Sequence, residues 1–527
     1  MNENFATVWE ALADAVGERI AVVHGPIERS WREFDERASR LAGALSALGV
    51  GRGSFVAIDM WNCVENLETM FAAFKLRAVP FNVNFRYRET ELSYIFKDAK
   101  PDAIVFDPIL SDRITAAKDY VGLPMRQISI GPRAIAPGVL SMEELIDAHQ
   151  PMPRIERDGD DEVVIYTGGT TGYPKGVVWP HFACMNQNSL SERTPPLADH
   201  VAAVVAAVQP RALVFPPLMH GTGFFGATLT LTDGGCVVFC ESRSLNPPEI
   251  LRLIEQYQIA SFSVVGDAVA KPILDELDSA AAAGHPYDLS SVQFVNNTGV
   301  MWSASVKKAF LKHGNFQVRD SINSTEGAGF AMAEAGDGEA IETARFKLGQ
   351  FARVVDENLQ DVIPGSGQVG FLVAGGILPK GYLNDPEKTA RTWPIIDGKR
   401  YVMPGDMATV EEDGTVVLLG RGSEVINTGG EKVFVEEVEQ AILSHPATSD
   451  ALVIGLPDER WGTRVTAVVS LRQGATLTER EVIDHVGGQL ADYKRPRQVV
   501  FVDEVPRSPT GKADRPAAKK LATDSIS

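Results

Sequence analysis

From Ser30 onward the sequence switches repeatedly between two hydrophobic periods, and this alternation restricts the available folds more than any other feature. "SWREFDERASRLAGALSALGV" spaces its apolar residues as on one helix face and runs into Gly51 and Gly53, after which "SFVAIDM" reads as a strand. "VENLETMFAAFKLRAV" predicts a second helix, and "ELSYIFKDAK" leads into the strand "DAIVFD". The rhythm continues through "GCVVFC", "IASFSVV" and "SVQFVNN", separated by helical segments such as "NPPEILRLIEQY". Strand–helix–strand repetition predicts an α/β architecture with largely parallel sheets. A chain of 527 residues also exceeds one hydrophobic core, so at least two domains are expected.

After about residue 345 the texture changes to short strands with turn signals, among them "EEDGT" between two apolar alternations, which reads as a hairpin turn. From Glu431 a compact tail follows: the helix "VEEVEQAILSH", the strands "DALVIGLP" and "TRVTAVVSL", and the helix "TEREVIDHVGGQL". This is a small α+β domain, with a boundary near "LGRGSEVINTGG". The final "LATDSIS" reads as a frayed end.

A net charge of −19 argues against a non-specific nucleic-acid binder. The N-terminus has no basic segment before an apolar one, so no signal peptide is expected. The longest apolar run, "VAAVVAAV", is far short of a membrane span. A cytoplasmic protein without an integral membrane segment is the expectation. The four cysteines have no metal-ligand spacing. Cys236 and Cys240 flank the apolar "VVF" and read as buried free thiols.

"VIYTGGTTGYPKGVVW" places a glycine- and threonine-rich loop directly after a β-branched strand. Successive glycines let backbone N–H groups converge on an anion, and hydroxyls and Lys175 add donors, so a phosphate-binding loop is the reading. It is not a Walker A loop, because Tyr173 and Pro174 separate Gly172 from Lys175. "DSINSTEGAG" sets Thr325 and Glu326 in a small-residue loop, where a carboxylate could hold Mg²⁺ opposite phosphates. "YVMPGD" offers Asp406 after a Pro-Gly turn, able to accept two ribose hydroxyls. "GRGSEVINTGGEK" holds Arg421 and the Gly429-Gly430 pair, and "PRSPTGKADR" holds Lys512 on a loop. Each alone is also compatible with an ordinary turn or surface charge.

Taken in order along nearly the whole chain, these stretches resemble the adenylate-forming superfamily of acyl-CoA synthetases, peptide-synthetase adenylation domains and beetle luciferases. "YTGGTTGYPKGV", "FPPLMHGTG", "NSTEG", "YLNDPEKTA", "PGDMA", "GGEKVFVEEVE" and "YKRPRQVVFVDEVPRSPTGK" carry the likeness. The resemblance implies a large N-terminal domain over residues 1–421, with mostly parallel sheets and a small β-barrel-like part. It also implies a mobile α+β lid over residues 422–527, with a hinge near Ser423. It implies a two-step reaction: a carboxylate and ATP give an acyl-adenylate and pyrophosphate, then a thiol takes the acyl group and AMP leaves. Because carboxylate and triphosphate repel, such a site needs concentrated positive charge more than a covalent nucleophile.

By the same resemblance, Thr167, Gly168, Gly169, Thr170, Thr171, Gly172 and Lys175 form the phosphate loop. Gly299 and Val300 line adenine, with Ser321, Ile322 and Asn323 beside it, and Ile322 stands where the family often has an aromatic. Thr325 and Glu326 form the Thr-Glu pair, with Glu326 and Thr170 as Mg²⁺ ligands. Asp406 and Arg421 take the ribose, and Lys512 is the catalytic lysine. His220 is a gate between acyl pocket and adenylate. Gly429, Gly430, Glu431 and Lys432 line the thiol channel.

Phe224, Phe225, Gly226 and Leu229 after His220 give an apolar wall suited to a hydrophobic carboxylic acid. "TGGTTG" and "GGEKVF" resemble a bacterial subgroup acting on long-chain or steroid side-chain acids. No acid near the gate would hold an amino-acid ammonium, and no carrier-protein segment follows, so coenzyme A is the expected thiol. An aryl-acid CoA ligase, a luciferase-type oxygenase and a silent nucleotide-binding sensor are the alternatives, and a homodimer is left open.

Overall fold

The computed structural model describes residues 2–525 apart from 168–173, 188–194, 299–301, 337–341, 343, 422–424, 429–430, 459–461, 491 and 508–512, and without the side chains of 421, 427, 431, 432 and 462. The chain divides into two compact units. The first comprises Met1–Ile341, Gly349–Phe351 and Ala374–Val402, the second Glu342–Leu348, Ala352–Val373 and Met403–Ser527.

The alternating periods of the sequence become the two sheets of the first unit. In one, Ile20–His24, Cys236–Phe239, Arg211–Leu213, Ser261–Val264, Phe294–Thr298 and Gln317–Ser324 run parallel, each to the next. In the other, Phe55–Asp59, Val79–Asn82, Ala103–Phe106, Arg126–Ser129, Val139–Ser141 and Glu162–Thr167 pair in parallel. Antiparallel strands finish both, as in many α/β folds: Gly327–Ala335 on Gln317–Ser324, and Lys175–Pro180 then Gly381–Tyr382 on Glu162–Thr167.

Helices start where the sequence signals them. Ser30 accepts the Glu33 N–H, and Glu33 returns the bond to the Ser30 backbone, a capping box that opens helix Trp31–Ala47. Helix Val64–Lys75 is buried on every face and packs against strands of both sheets. Its Lys75, 2% exposed, is held by Glu10 at 2.7 Å and Asp35 at 2.5 Å. Removing both partners would leave a buried charge unpaired, at a cost of about 3–5 kcal/mol.

In the second unit the strands Ala352–Val355, Gly370–Ala374, Asp406–Val410, Val416–Arg421 and Arg345–Leu348 lie in that order. The expected "EEDGT" hairpin joins two of them, closed by Glu411 N–H to Thr415 O at 2.8 Å. The same unit holds helix Val435–Leu443 and a three-stranded sheet of Thr448–Asp458, Gly462–Leu471 and Gln498–Val502. Gly420, at φ +112, adopts a backbone conformation that favours glycine, and its Cα faces the Glu436 carboxylate of this helix. The frayed end expected at "LATDSIS" is not found over its first four residues. Helix Arg515–Asp524 continues through Leu521–Asp524, and Ala522 is 0% exposed, because a small apolar face on that turn packs against Leu452, Ile454 and Val468.

Candidate functional site

Thr325 and Glu326 are the two turn residues of a tight hairpin, since Ser324 pairs directly with Gly327. The small-residue loop expected there is thus a two-residue turn fixed by strands on both sides. Two indoles hold consecutive carbonyls of the turn: Trp179 Nε1 donates to Thr325 O at 2.9 Å, and Trp393 Nε1 to Glu326 O at 3.2 Å. The Tyr382 hydroxyl donates to Glu326 Oε1 at 2.8 Å, and its ring meets Trp393 edge-on at 4.9 Å. Among the described residues, Glu326 Oε2 has no such partner. That oxygen has the chemistry of a hard-cation ligand, whereas no group of three His, Cys, Asp or Glu among the described residues could hold a metal by itself. The donor set therefore fits an ion that shares its ligands with phosphates, as Mg²⁺ does.

Strand pairing brings these residues together. Tyr382 sits opposite Val177 on the strand that also carries Trp179, and that strand pairs with Glu162–Thr167 so that Thr167 faces Lys175. Thr167 and Lys175 thus mark the two feet of the glycine-rich loop. Gly168, Gly169, Thr170, Thr171 and Gly172 lie outside the described residues. Lys175 Nζ meets Asp385 Oδ2 at 2.7 Å. The hydrogen bond that Lys175 donates to Asp385 raises the lysine pKa, and the same bond lowers that of Asp385. Asp385 also caps helix Pro386–Thr392 by accepting the Lys388 N–H.

His220 precedes helix Gly221–Thr232, whose first turn lies beside Thr325: a Cβ on Gly221 would stand 3.8 Å from Thr325 Oγ1. The segment before it is clamped by Asn62, which donates to Val214 O and Pro216 O and accepts the Leu218 N–H at 2.9 Å. Gly223 is required because a Cβ would strike the carbonyls of Pro216 and Pro217. The helix has two stripes. Phe224, 1% exposed, packs inward with Ala227, Thr228 and Leu231, while Phe225, Gly226 and Leu229 share a half-exposed face. The Phe224 ring backs that of Phe225 at 5.2 Å, and Trp179 meets Phe225 edge-on at 5.6 Å.

Ser321, Ile322 and Asn323 are half-buried on strand Gln317–Ser324, and Asn323 accepts the Gly329 N–H at 2.8 Å. Beneath them Asp320 is paired with Lys307 at 2.5 Å and with Asn297 Nδ2 at 2.7 Å, which fixes this strand against Phe294–Thr298. Gly299 and Val300 lie outside the described residues, as do Ser423, Gly429, Gly430 and Lys512. In the second unit Asp406 and Arg421 stand directly opposite on paired strands. Glu431 and Lys432 are described by backbone alone, in the strand pair Val425–Thr428 and Glu431–Phe434.

Residues 9–383 match the family described as AMP-binding enzyme, and 437–512 its C-terminal domain. The chain belongs to the AMP-binding enzyme family. The chain is 37% identical to a 3-oxocholest-4-en-26-oate–CoA ligase of Rhodococcus rhodochrous, over 98% of this chain and 95% of that one. It is 35% identical to the medium-chain acyl-CoA ligase Mig of Mycobacterium avium, over 98% of each. The fold superposes on ATP-bound MatB from Rhodopseudomonas palustris with a TM-score of 0.82, at 27% identity and covering 100% of both chains. This AMP-binding enzyme is an AMP-forming acid–CoA ligase, with the α/β fold and small α+β C-terminal part of its family.

Sequence reasoning passed over Trp179, Tyr382, Asp385 and Trp393 as functional positions. "YLNDPEKTA" was a signal for two of them, and an Asp-Pro pair marks a helix start, but their partners lie far off in sequence. It also passed over Asp59 at the end of strand Phe55–Asp59, which is 0% exposed with both carboxylate oxygens unpartnered. Burial pushes its pKa up to about 7; Arg113 nearby opposes the shift and Asp107 adds to it. A shallow cavity of about 450 Å³ opens at the Arg113 end, lined also by Trp61, Phe85, Arg86 and Arg243. No described helix of the AMP-binding enzyme is long and apolar enough to cross a membrane.

Proposed function

We infer that this ligase activates a hydrophobic carboxylic acid, a medium- or long-chain fatty acid or a steroid side-chain acid, to its CoA thioester. The observation that carries this is the half-exposed apolar stripe of Phe225, Gly226 and Leu229, on a helix that starts beside the Thr325–Glu326 turn. The two relatives named above, acting by their names on a steroid acid and on medium-chain acids, support it.

In this reading the acid lies along the stripe, with Phe224 behind the wall and His220 at its mouth. A carboxylate oxygen attacks the α-phosphorus of ATP and pyrophosphate leaves; the sulfur of CoA then attacks the acyl carbon and AMP leaves. The glycine-rich loop from Thr167 to Lys175 holds the phosphates. For Lys175 this means exchanging Asp385 for a phosphate oxygen. Gly299, Val300, Ser321, Ile322 and Asn323 take adenine, Asp406 and Arg421 the ribose, and Lys512 the charge that develops at the α-phosphate. Glu326 and Thr170 would hold Mg²⁺, which when bound supplies countercharge to the triphosphate. Gly429, Gly430, Glu431 and Lys432 line the path of the thiol. The division at residues 421 and 422, with Ser423 as hinge, belongs to the same reading.

A panel of carboxylic acids from short fatty to steroidal, scored by thioester formation with CoA, tests it. Turnover rising with apolar length or ring size is expected. Preference for benzoates would favour the aryl reading, which a 30%-identical 4-chlorobenzoate–CoA ligase of Arthrobacter makes the second choice.

A further inference from the structure

We propose that Tyr382 and Trp393 are positioning residues of the adenylation step, which present Glu326 to the metal by fixing its carboxylate from one side and its carbonyl from the other. The inference rests on the reading that Glu326 is the Mg²⁺ ligand. A lone glutamate on a hairpin turn has three side-chain torsions, and losing that freedom on binding would weaken the site. Here the freedom is already lost. Tyr382 OH occupies Oε1 at 2.8 Å, so the carboxylate has one bonded oxygen and one open oxygen. Trp393 donates to Glu326 O at 3.2 Å and packs edge-on against the Tyr382 ring at 4.9 Å, so the indole steadies the peptide and the phenol together.

The phenol is itself fixed at both ends of its residue. Its backbone pairs with Val177, and its N–H donates to Thr389 Oγ1 at 2.9 Å. Thr389 Oγ1 in turn donates to Asp385 O at 2.8 Å, the residue that pairs with Lys175. The helix start at Asp385 therefore sets both the lysine at the foot of the phosphate loop and the tyrosine on Glu326. A bond from a neutral donor to a carboxylate also leaves its charge intact, so the open oxygen stays a strong ligand.

Calorimetric titration of the full-length chain with ATP, once with saturating Mg²⁺ and once in EDTA, separates this from a structural role. Tyr382→Phe keeps the ring against Trp393 and removes only the hydroxyl. It is expected to weaken MgATP binding roughly tenfold, while binding of metal-free ATP stays within about twofold. The Mg²⁺ concentration for half-maximal ATP–pyrophosphate exchange should rise by a similar factor, with the KM for the acid unchanged. Trp393→Phe should show the same metal-selective loss in smaller measure. Adding Tyr382→Phe to Glu326→Gln should cost nothing further. Equal weakening of both forms of ATP, or additive losses in the double variant, would overturn the proposal. If Tyr382→Phe changes nothing while Glu326→Gln abolishes the advantage of MgATP, the positioning role fails and the metal reading stands. If Glu326→Gln itself leaves that advantage intact, the metal reading fails and the inference with it.

Discussion

Two carboxylates of the first unit stand at strand ends and meet opposite fates. Glu326 sits half-buried on a hairpin turn with one oxygen bonded to Tyr382, while Asp59 is wholly buried with neither oxygen bonded. For Asp59 burial delays ionisation, carrying its pKa up to about 7. The difference lies in what holds each carboxylate, a hydrogen-bond donor for one and burial alone for the other. If Glu326 meets Mg²⁺ as proposed, one neutral donor near the surface holds it without sealing it away.

Removing each charge in turn separates the two carboxylates by their effects. Glu326→Gln should cut ATP–pyrophosphate exchange by about 10²–10³-fold, roughly 3–4 kcal/mol of transition-state stabilisation, as for other preorganised charge sites. Its melting temperature should be unchanged. Near-normal exchange in the variant would remove Glu326 from the chemistry.

Asp59→Asn should act on stability instead, and only at higher pH. An unfolded aspartate titrates near pH 3.9, whereas folded Asp59 titrates at about 7. Between those values the folded state holds a proton that the unfolded state has released, so wild-type stability falls as pH rises through the window and then levels. The variant lacks this loss. Relative to the wild type it should gain about 4 kcal/mol between pH 4 and pH 8, the worth of three pKa units, while the cost of the unpaired amide is the same at both. Urea denaturation at pH 5 and pH 8 reads this, and an equal difference at both values would break the contrast.

Phe225→Ala should change the ratio of kcat/KM between bulky and straight-chain acids by roughly 1–3 kcal/mol in favour of the bulky ones. Phe224→Ala, whose ring is 1% exposed, should mainly lower the melting temperature. An unchanged acid profile for Phe225→Ala would put the acyl pocket elsewhere. The smallest effect is expected from Trp179→Phe, which keeps a ring against Phe225 but frees the Thr325 carbonyl. Exchange activity at saturating substrates should fall by a factor equivalent to about 1 kcal/mol.

What the sequence disclosed and what it hid follow from how far each signal reaches. Helix Trp31–Ala47 was legible because its period and its Ser30–Glu33 box lie within the helix itself. Helix Gly221–Thr232 was legible only as an apolar segment, since glycines and threonines lower helix propensity. Its threonines serve the helix nonetheless: Thr228, Thr230 and Thr232 each donate to the carbonyl four residues back, at 2.8, 2.7 and 2.8 Å. The Thr325–Glu326 pair stood out through its family motif. Its supports did not, because Trp179 and Tyr382 reach it only through a strand pairing that spans some two hundred residues. The C-terminal helix was misread for a related reason. Its polar surroundings hide Ala518 and Ala522, both 0% exposed, and alanine pairs of this kind carry little hydrophobic signal.

The two indoles on the Thr325–Glu326 turn also give the protein an internal optical label. Of its seven tryptophans, Trp179 and Trp393 alone donate their N–H to the two consecutive carbonyls of this turn among the described residues. Indole emission responds to the field along its ring and to the hydrogen bond at its nitrogen. A ligand that pulls on the Glu326 carboxylate will therefore move the peptide dipoles these two chromophores sense. Binding at the turn should be visible as a spectral shift in the unlabelled protein, and that shift should shrink when either indole is replaced by phenylalanine.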